Sequence, residues 1–262
     1  MMEQTFEKLT EFICRTTIPY KTIFTTVWTL RTPEGVVLID GASYDNDAAD
    51  HVLPFLEFAG VKKEEIKYVF ITHAHTDHAG GLKGLLKELP HVTLVSRQPQ
   101  LAEKHPQVAF HCPEDGEMLT PDLQIVAIPG HTMDCAGIWD KRTNTLLCGD
   151  SLQLYGIVGN EDWACNIPFT TQYFEAVEKV RAMQVEHILT AHDYYPTGYR
   201  ADGAVAVNKA LDDCLEPLKM IGRMIRENPE LDDEAIRAKF NALEGLPTAK
   251  LHVITGVRKA GV

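Results

Sequence analysis

The stretch that decides the fold is Ile66-Lys67-Tyr68-Val69-Phe70-Ile71, followed directly by Thr72-His73-Ala74-His75-Thr76-Asp77-His78-Ala79-Gly80-Gly81. The first six residues are rich in β-branched and aromatic side chains, which predicts a buried strand. His73 and His75 are two apart, so in extended chain their imidazoles point to the same side. Asp77 and His78 fall where the chain turns into a helix. Imidazole nitrogens and carboxylate oxygens suit zinc, iron or manganese, so the stretch predicts a metal site.

The spacing His-x-His-x-Asp-His after a hydrophobic strand resembles the signature of the metallo-β-lactamase superfamily. In that family further ligands follow at later strand ends. This chain carries segments that match those motifs in the same order: Pro129-Gly130-His131-Thr132, Leu147-Cys148-Gly149-Asp150 and Thr190-Ala191-His192-Asp193. The resemblance is to cytoplasmic members of the glyoxalase II or lactonase type, and it covers roughly residues 23–197.

The resemblance implies a site with two metal ions. The first would be held by His73, His75 and His131. The second would be held by Asp77, His78 and His192, with Asp150 and a hydroxide bridging the two. Two Zn²⁺ ions are expected, and iron or manganese suits the same mixed nitrogen and oxygen ligands.

Asp40 ends a predicted strand and resembles the family's Asp-Gly, whose carboxylate accepts a hydrogen bond from a metal ligand. A plain turn at Asp40-Gly41 is the alternative interpretation.

The predicted fold is a four-layer αββα sandwich of two mixed β-sheets flanked by helices. We expect one domain over residues 1–262, in which residues 197–262 are a helical C-terminal elaboration. Apolar spacing predicts a long helix over 204–226 that Pro217 should kink or divide. Other helices are predicted over 47–59, 81–89, 169–183 and 231–243, and strands over 23–30, 35–40, 66–71, 92–95, 123–128, 136–139, 145–148 and 186–190.

Composition disfavours some partners. The chain has 25 basic and 37 acidic residues and a net charge of −12, which works against binding nucleic acid or an anionic membrane surface. The first residues lack a basic, apolar leader pattern, and a cytoplasmic location with a small-molecule substrate is expected. The six cysteines form no Cys-x-x-Cys pair and are expected to be reduced and mostly buried.

The predicted function is hydrolysis of an ester, thioester or lactone of a small molecule by a metal-bridging hydroxide. The predicted catalytic residues are Asp77, Asp150, Tyr155 and Tyr194. Each tyrosine is a candidate hydrogen-bond donor to the developing oxyanion. The pocket wall is predicted from the loop Gln153–Ile167 and Tyr194-Tyr195, with Trp163 and, as a carbonyl partner, Asn166 at its surface.

Three other functions stay open. The ligand set is similar to that of mononuclear iron persulfide dioxygenases, and the same two metals could serve a phosphodiesterase. A non-catalytic metal-binding scaffold is the third. Beyond residue 197 the chain is interpreted as scaffold, as one wall of the pocket, or as the face of a homodimer. Arg258-Lys259 does not match the glutathione-binding pattern of glyoxalase II.

Overall fold

Seven strands in chain order form the first sheet of the computed structural model, which describes residues 3–157 and 165–262. They are β1 (Thr5–Lys8), β2 (Ile13–Tyr20), β3 (Ile23–Thr32), β4 (Gly35–Ile39), β5 (Ile66–Ile71), β6 (Thr93–Ser96) and β7 (Ala109–His111). Neighbours from β1 to β4 pair antiparallel, and neighbours from β4 to β7 pair parallel. The sheet is therefore mixed, and the strands predicted over 23–30 and 35–40 are present as β3 and β4, which form an antiparallel hairpin.

Helices cover this first sheet within the unit Met1–Ile125, the first of two compact units into which the chain divides. They are α1 (Leu53–Phe58), α2 (Thr76–Ala79), α3 (Leu82–Glu88) and α4 (Gln100–Lys104). A π-helical turn at Ala48–Val52 precedes α1, so the helix predicted over 47–59 is present in two pieces. Pro54 lies in the first turn of α1, where its missing N–H costs nothing.

A second mixed sheet contains the remaining strands of the described residues, in the order β13-β12-β11-β10-β9-β8. They are β8 (Met118–Thr120), β9 (Leu123–Ala127), β10 (Ala136–Asp140), β11 (Thr145–Leu147), β12 (His187–Tyr194) and β13 (Gly198–Asp202). β11 pairs parallel with β12, whereas the pairs β10–β11 and β12–β13 are antiparallel. The chain passes from the first unit into the second, Val126–Val262, within β9.

The second unit has its own helices and its own apolar core. The helices are α5 (Thr170–Met183), α6 (Ala204–Glu227), α7 (Asp233–Asn241) and α8 (Leu251–Ala260). α6 continues through Pro217, so Pro217 does not divide this helix, and the alternative, a kink at Pro217, stays a prediction. The buried neighbours Cys214 and Leu218 pack in the core, and such packing supports a helix that has lost one backbone hydrogen bond.

The predicted fold class, two mixed β-sheets flanked by helices, is confirmed. The single domain over residues 1–262, with 197–262 as its elaboration, stays a prediction. Five cysteines are buried, Cys112 is exposed, and all six are free thiols. Among the helices described, none has both the length and the apolar character needed to cross a membrane.

Candidate metal centre

The segment after β5 brings four predicted ligands together, and we call His73, His75, Asp77 and His78 the N-terminal cluster. His75 keeps extended backbone angles and immediately precedes α2, so the chain turns directly after it. His73 Nε2 lies 2.9 Å from His75 Nδ1. The ring centroids of His73 and His78 are 4.2 Å apart. Three imidazoles therefore converge within the first unit.

Asp77 adds a carboxylate to this cluster. Its Oδ2 lies 3.4 Å from His78 Nε2, and both side chains are buried. Thr25 at the start of β3 donates its hydroxyl hydrogen to the Asp77 carbonyl oxygen. That bond ties the short helix α2 to the sheet and so fixes the backbone position of Asp77.

Asp40 lies directly behind His78. Its Oδ2 accepts a hydrogen bond from His78 Nδ1 over 2.7 Å, and its Oδ1 accepts one from the Thr72 amide over 2.8 Å. An acceptor on Nδ1 keeps the proton there and leaves the Nε2 lone pair for a metal. Complete burial raises the pKa of the Asp40 carboxyl group, while the bonds from His78 and Thr72 lower it. Asp40 thus accepts the hydrogen bond from His78 that the resemblance implied, while metal binding by His78 stays a prediction.

Two adjacent glycines allow the loop after Asp40 to lie against the N-terminal cluster. A Cβ atom at Gly80 would be 2.2 Å from the Ser43 carbonyl oxygen, and one at Gly81 would be 2.3 Å from the Gly41 carbonyl oxygen. Two backbone hydrogen bonds join the loop to the cluster segment: Gly41 N donates to His78 O at 2.6 Å, and Gly81 N donates to Ala42 O at 3.1 Å. The Gly80-Gly81 pair is therefore needed for close backbone approach.

The second unit contributes three predicted ligands, and we call His131, Asp150 and His192 the C-terminal cluster. His131 follows β9, Asp150 follows β11, and His192 lies in β12 where its register with β13 shifts. Asp150 Oδ1 is 3.2 Å from His192 Nε2, and Asp150 Oδ2 is 3.8 Å from His131 Nε2. Asp150 thus lies between two imidazoles, with one oxygen toward each.

Two residues that sequence analysis did not assign to metal binding contact His131. The Asn166 backbone carbonyl oxygen lies 2.8 Å from His131 Nδ1, and Gln153 Nε2 lies 2.9 Å from the same nitrogen. The backbone N–H of Asn166 donates to Gln153 Oε1 over 3.0 Å. Gln153 was predicted only as the start of the pocket loop. No sequence signal reveals its bond to His131, because Gln153 and His131 are 22 residues apart.

The two predicted catalytic tyrosines have different surroundings. Tyr194 is buried, and its ring packs edge-on against His192 with 5.7 Å between centroids. Tyr155 packs against Tyr195 at the same centroid distance. Burial raises the pKa of Tyr155, and Asp213 and Glu216 of α6 raise it further. Within the second unit, Tyr194 is therefore the tyrosine placed beside a predicted ligand.

The structure describes only part of the predicted pocket wall, since residues 158–164 of the predicted loop lie outside the described residues. Asn166, predicted as a partner for a substrate carbonyl, has its side-chain oxygen bonded to His252. Trp163 lies outside the described residues. Arg258 bonds Asp233 and the Leu231 carbonyl oxygen, which gives it a structural contact within the C-terminal helices.

Both clusters fit a divalent metal by the chemistry of their donors. In the first unit, the ligand nitrogens of His73 and His75 lie within 4.8 Å of each other, as do the donor atoms of Asp77 and His78. In the second unit, Asp150 and His192 meet the same limit. Neutral imidazoles and carboxylates held this close are the ligands that zinc and neighbouring first-row metals accept.

A family model described as "Metallo-beta-lactamase superfamily" matches residues 21–192, a range that includes both clusters. The chain therefore belongs to the metallo-β-lactamase superfamily, and the predicted resemblance is confirmed. It is 29% identical over 148 residues to a hydroxyacylglutathione hydrolase of Vibrio parahaemolyticus, with 54% of this chain and 53% of the relative covered. The chain thus spans about half the length of that curated relative.

Solved structures show the same fold. A metallo-β-lactamase from Hirschia baltica matches with a TM-score of 0.60 and 21% identity, over 81% of this chain and 98% of that chain. A mutant flavo di-iron protein from Thermotoga maritima matches with a TM-score of 0.61 and 16% identity, over 83% of this chain and 63% of that chain. At these identities the likeness concerns the fold alone.

Proposed function

We propose that this protein is a metal-dependent hydrolase that holds two Zn²⁺ ions and cleaves an ester, thioester or lactone of a small molecule. The observation that carries the proposal is that His73 Nε2 and His75 Nδ1 lie 2.9 Å apart. His78 lies next to them and donates from Nδ1 to Asp40, which leaves its Nε2 for a metal. Converging imidazole nitrogens, next to a histidine whose other ring nitrogen donates to a carboxylate, are typical of metal-binding sites.

The proposed ligands are those of the two clusters acting together. His73, His75 and His131 hold one ion, Asp77, His78 and His192 hold the other, and Asp150 bridges them. Two cations about 3.5–4 Å apart repel each other strongly unless an anion lies between them, which is the need a bridging carboxylate meets. The position of Asp150 between His131 and His192 supports this role.

Bound zinc ions would lower the pKa of a water molecule to about 7 and polarise the bond to be cleaved. The protein's own side chains then have two tasks. Asp40 and the Asn166 carbonyl hold His78 and His131 in the proton arrangement that leaves Nε2 available. The Tyr194 hydroxyl is proposed to donate to the oxyanion that develops on the substrate.

An acyl substrate is supported by the curated relative, whose name describes a hydrolase acting on an acylated thiol. The pairs Tyr155–Tyr195 and His192–Tyr194 place aromatic side chains near the end of β12, which supports a small, partly apolar compound. The cytoplasmic location, the lack of nucleic-acid and membrane partners, and a homodimer stay predictions.

The experiment is metal analysis combined with an activity screen. Protein grown with balanced zinc, iron and manganese is analysed for metals per chain, and the zinc-loaded form is tested on thioesters, lactones, carboxylic esters and phosphodiesters. We expect two metals per chain and turnover of an acyl substrate. His73→Ala should lose metal and turnover, whereas His187→Ala should keep both, because His187 bonds Asp202 on the neighbouring strand.

Two outcomes would overturn the proposal. Cleavage of phosphodiesters without any acyl hydrolysis would replace the substrate class and leave the metal assignment in place. A fully metallated protein that turns over no substrate in the panel would favour a metal-binding scaffold.

A further inference from the structure

The C-terminal helix α8 reaches a proposed metal ligand through a single intervening residue. His252 in the first turn of α8 donates from Nε2 to the Asn166 side-chain oxygen. The backbone carbonyl oxygen of the same asparagine lies 2.8 Å from His131 Nδ1. Asn166 therefore connects a helix outside the family match, which ends at residue 192, to a ligand inside it.

The segment that carries Asn166 is docked on the C-terminal residues by its backbone. The Cys165 amide donates to the Thr248 carbonyl oxygen over 2.9 Å, and Cys165 forms a parallel bridge with Ala249. A Cβ atom at Gly256 would lie 2.5 Å from the Pro168 carbonyl oxygen, so α8 packs closely against the continuation of this segment. The position of the Asn166 carbonyl is thus set from the C-terminal part of the chain.

His131 Nδ1 has two neighbours that demand opposite proton arrangements. The Asn166 carbonyl oxygen is an acceptor, so its bond requires a proton on Nδ1 and leaves Nε2 free to bind a metal. Gln153 Nε2 is a donor, because Gln153 Oε1 already accepts from the Asn166 amide. A bond from Gln153 would require an unprotonated Nδ1 and would place the proton on Nε2, where it blocks metal binding.

We propose that His252 is a positioning residue that, through Asn166, keeps His131 in the tautomer that binds metal. The inference rests on the proposed function, since it takes His131 as a ligand. Holding Asn166 by its side chain keeps its carbonyl oxygen within bonding distance of Nδ1, so the acceptor prevails over the donor Gln153. Without His252, the Asn166 carbonyl loses one restraint. A larger fraction of His131 then accepts a hydrogen bond from Gln153 and carries its proton on Nε2.

The test compares His252→Ala with His252→Gln, which keeps an N–H donor for Asn166, and with the control Leu251→Ala one residue earlier on α8. Zinc affinity is measured by competition with a chromophoric chelator. Partners that orient metal-binding histidines change metal affinity by roughly 10–100-fold. Because His252 acts through Asn166, we expect His252→Ala to weaken binding of one of the two ions by about tenfold. His252→Gln should stay within about threefold of the parent protein, and Leu251→Ala should match it.

A second measurement reports the tautomer directly. In metal-free protein labelled with ¹⁵N-histidine, the His131 signals, assigned with His131→Gln, should show the proton on Nδ1. In His252→Ala they should shift toward the proton on Nε2. Asn166→Ala, which keeps the backbone carbonyl but loses the bond to His252, should shift the signals in the same way, and the double variant should add nothing further.

Unchanged zinc affinity and unchanged ¹⁵N signals in His252→Ala would overturn the inference, as would an equal loss of affinity in His252→Gln. Failure of the proposed function looks different. A parent protein that binds no zinc, or that binds zinc without hydrolysing any substrate, contradicts that proposal whatever the tautomer measurement shows.

Discussion

Asp40 Oδ2 lies 2.7 Å from His78 Nδ1, and both side chains are completely buried. In Asp40→Asn the amide nitrogen can take this position, and a donor facing Nδ1 forces the His78 proton onto Nε2. Zinc affinity should therefore fall by about 10–100-fold, the usual effect of losing such a partner. Chelator competition measures it.

The matched control for this prediction is Asp140→Asn. Asp140 is as deeply buried as Asp40, but it bonds Arg142 and Thr143, which lie outside the proposed ligand set. Asp140→Asn should lower the free energy of unfolding and leave zinc affinity unchanged. If both variants bind zinc like the parent protein, Asp40 has no part in metal binding.

Asp150→Ala should lose more than one ligand. In the proposed site this carboxylate separates two cations, so its removal leaves their repulsion uncompensated. We expect the metal content measured by mass spectrometry to fall from two ions per chain to one or fewer, and turnover to disappear. The control is Asp193→Ala, an exposed carboxylate adjacent to His192, which should keep both metals. Two metals and full turnover in Asp150→Ala would contradict the bridge.

Local sequence pattern was sufficient for the elements that hold the ligands. The strand predicted over 66–71 matches β5, because its β-branched and aromatic residues are bounded by polar residues on both sides. β2 was missed: Cys14-Arg15-Thr16-Thr17 is buried at every position despite its polar side chains, so it shows no alternation of apolar and polar residues. Strand β13 and helix α8 were missed as well.

The proposed ligands could be predicted because their spacing is local or carried by short motifs. Their supporting contacts could not. The bond between His131 and Asn166 joins residues 35 positions apart, and the bond between Asn166 and His252 joins residues 86 apart. Such pairs depend on how β9, α5 and α8 pack within the second unit, and no periodicity along the chain encodes that packing.

Tyr194→Phe should lower kcat by about 10²-fold with metal content unchanged, the usual scale for losing one oxyanion donor. Tyr194 is the better candidate because its ring packs against His192. Tyr155→Phe is the matched control. The Tyr155 ring packs against Tyr195 and not against a proposed ligand, so the Tyr155→Phe variant should turn over substrate like the parent protein. The reverse order of effects would reassign the donor to Tyr155, and normal kcat in both variants would leave these rings a packing role only.

Gly130→Ala should destabilise the second unit through two separate effects. Gly130 has φ +149, which L side chains rarely adopt, and an added Cβ would lie 2.4 Å from Tyr173 Cδ2. Unfavourable backbone angles cost about 1–3 kcal/mol, and overpacking against a buried ring costs about 1–3 kcal/mol more. Urea denaturation should therefore show a loss of about 2–6 kcal/mol in the free energy of unfolding.

Gly198→Ala separates these two contributions. Gly198 also has a positive φ, +83, but an added Cβ would have no heavy atom within 4 Å. The free energy of unfolding of Gly198→Ala should therefore fall only by the backbone cost of about 1–3 kcal/mol. Because Gly130 directly precedes His131, relief of the contact with Tyr173 by a shift of the backbone would also move that ligand. Gly130→Ala should then bind zinc more weakly, whereas Gly198→Ala should bind it like the parent protein. Equal destabilisation with equal zinc affinity in the two variants would show that Tyr173 moves aside and that Gly130 is not required for placing His131.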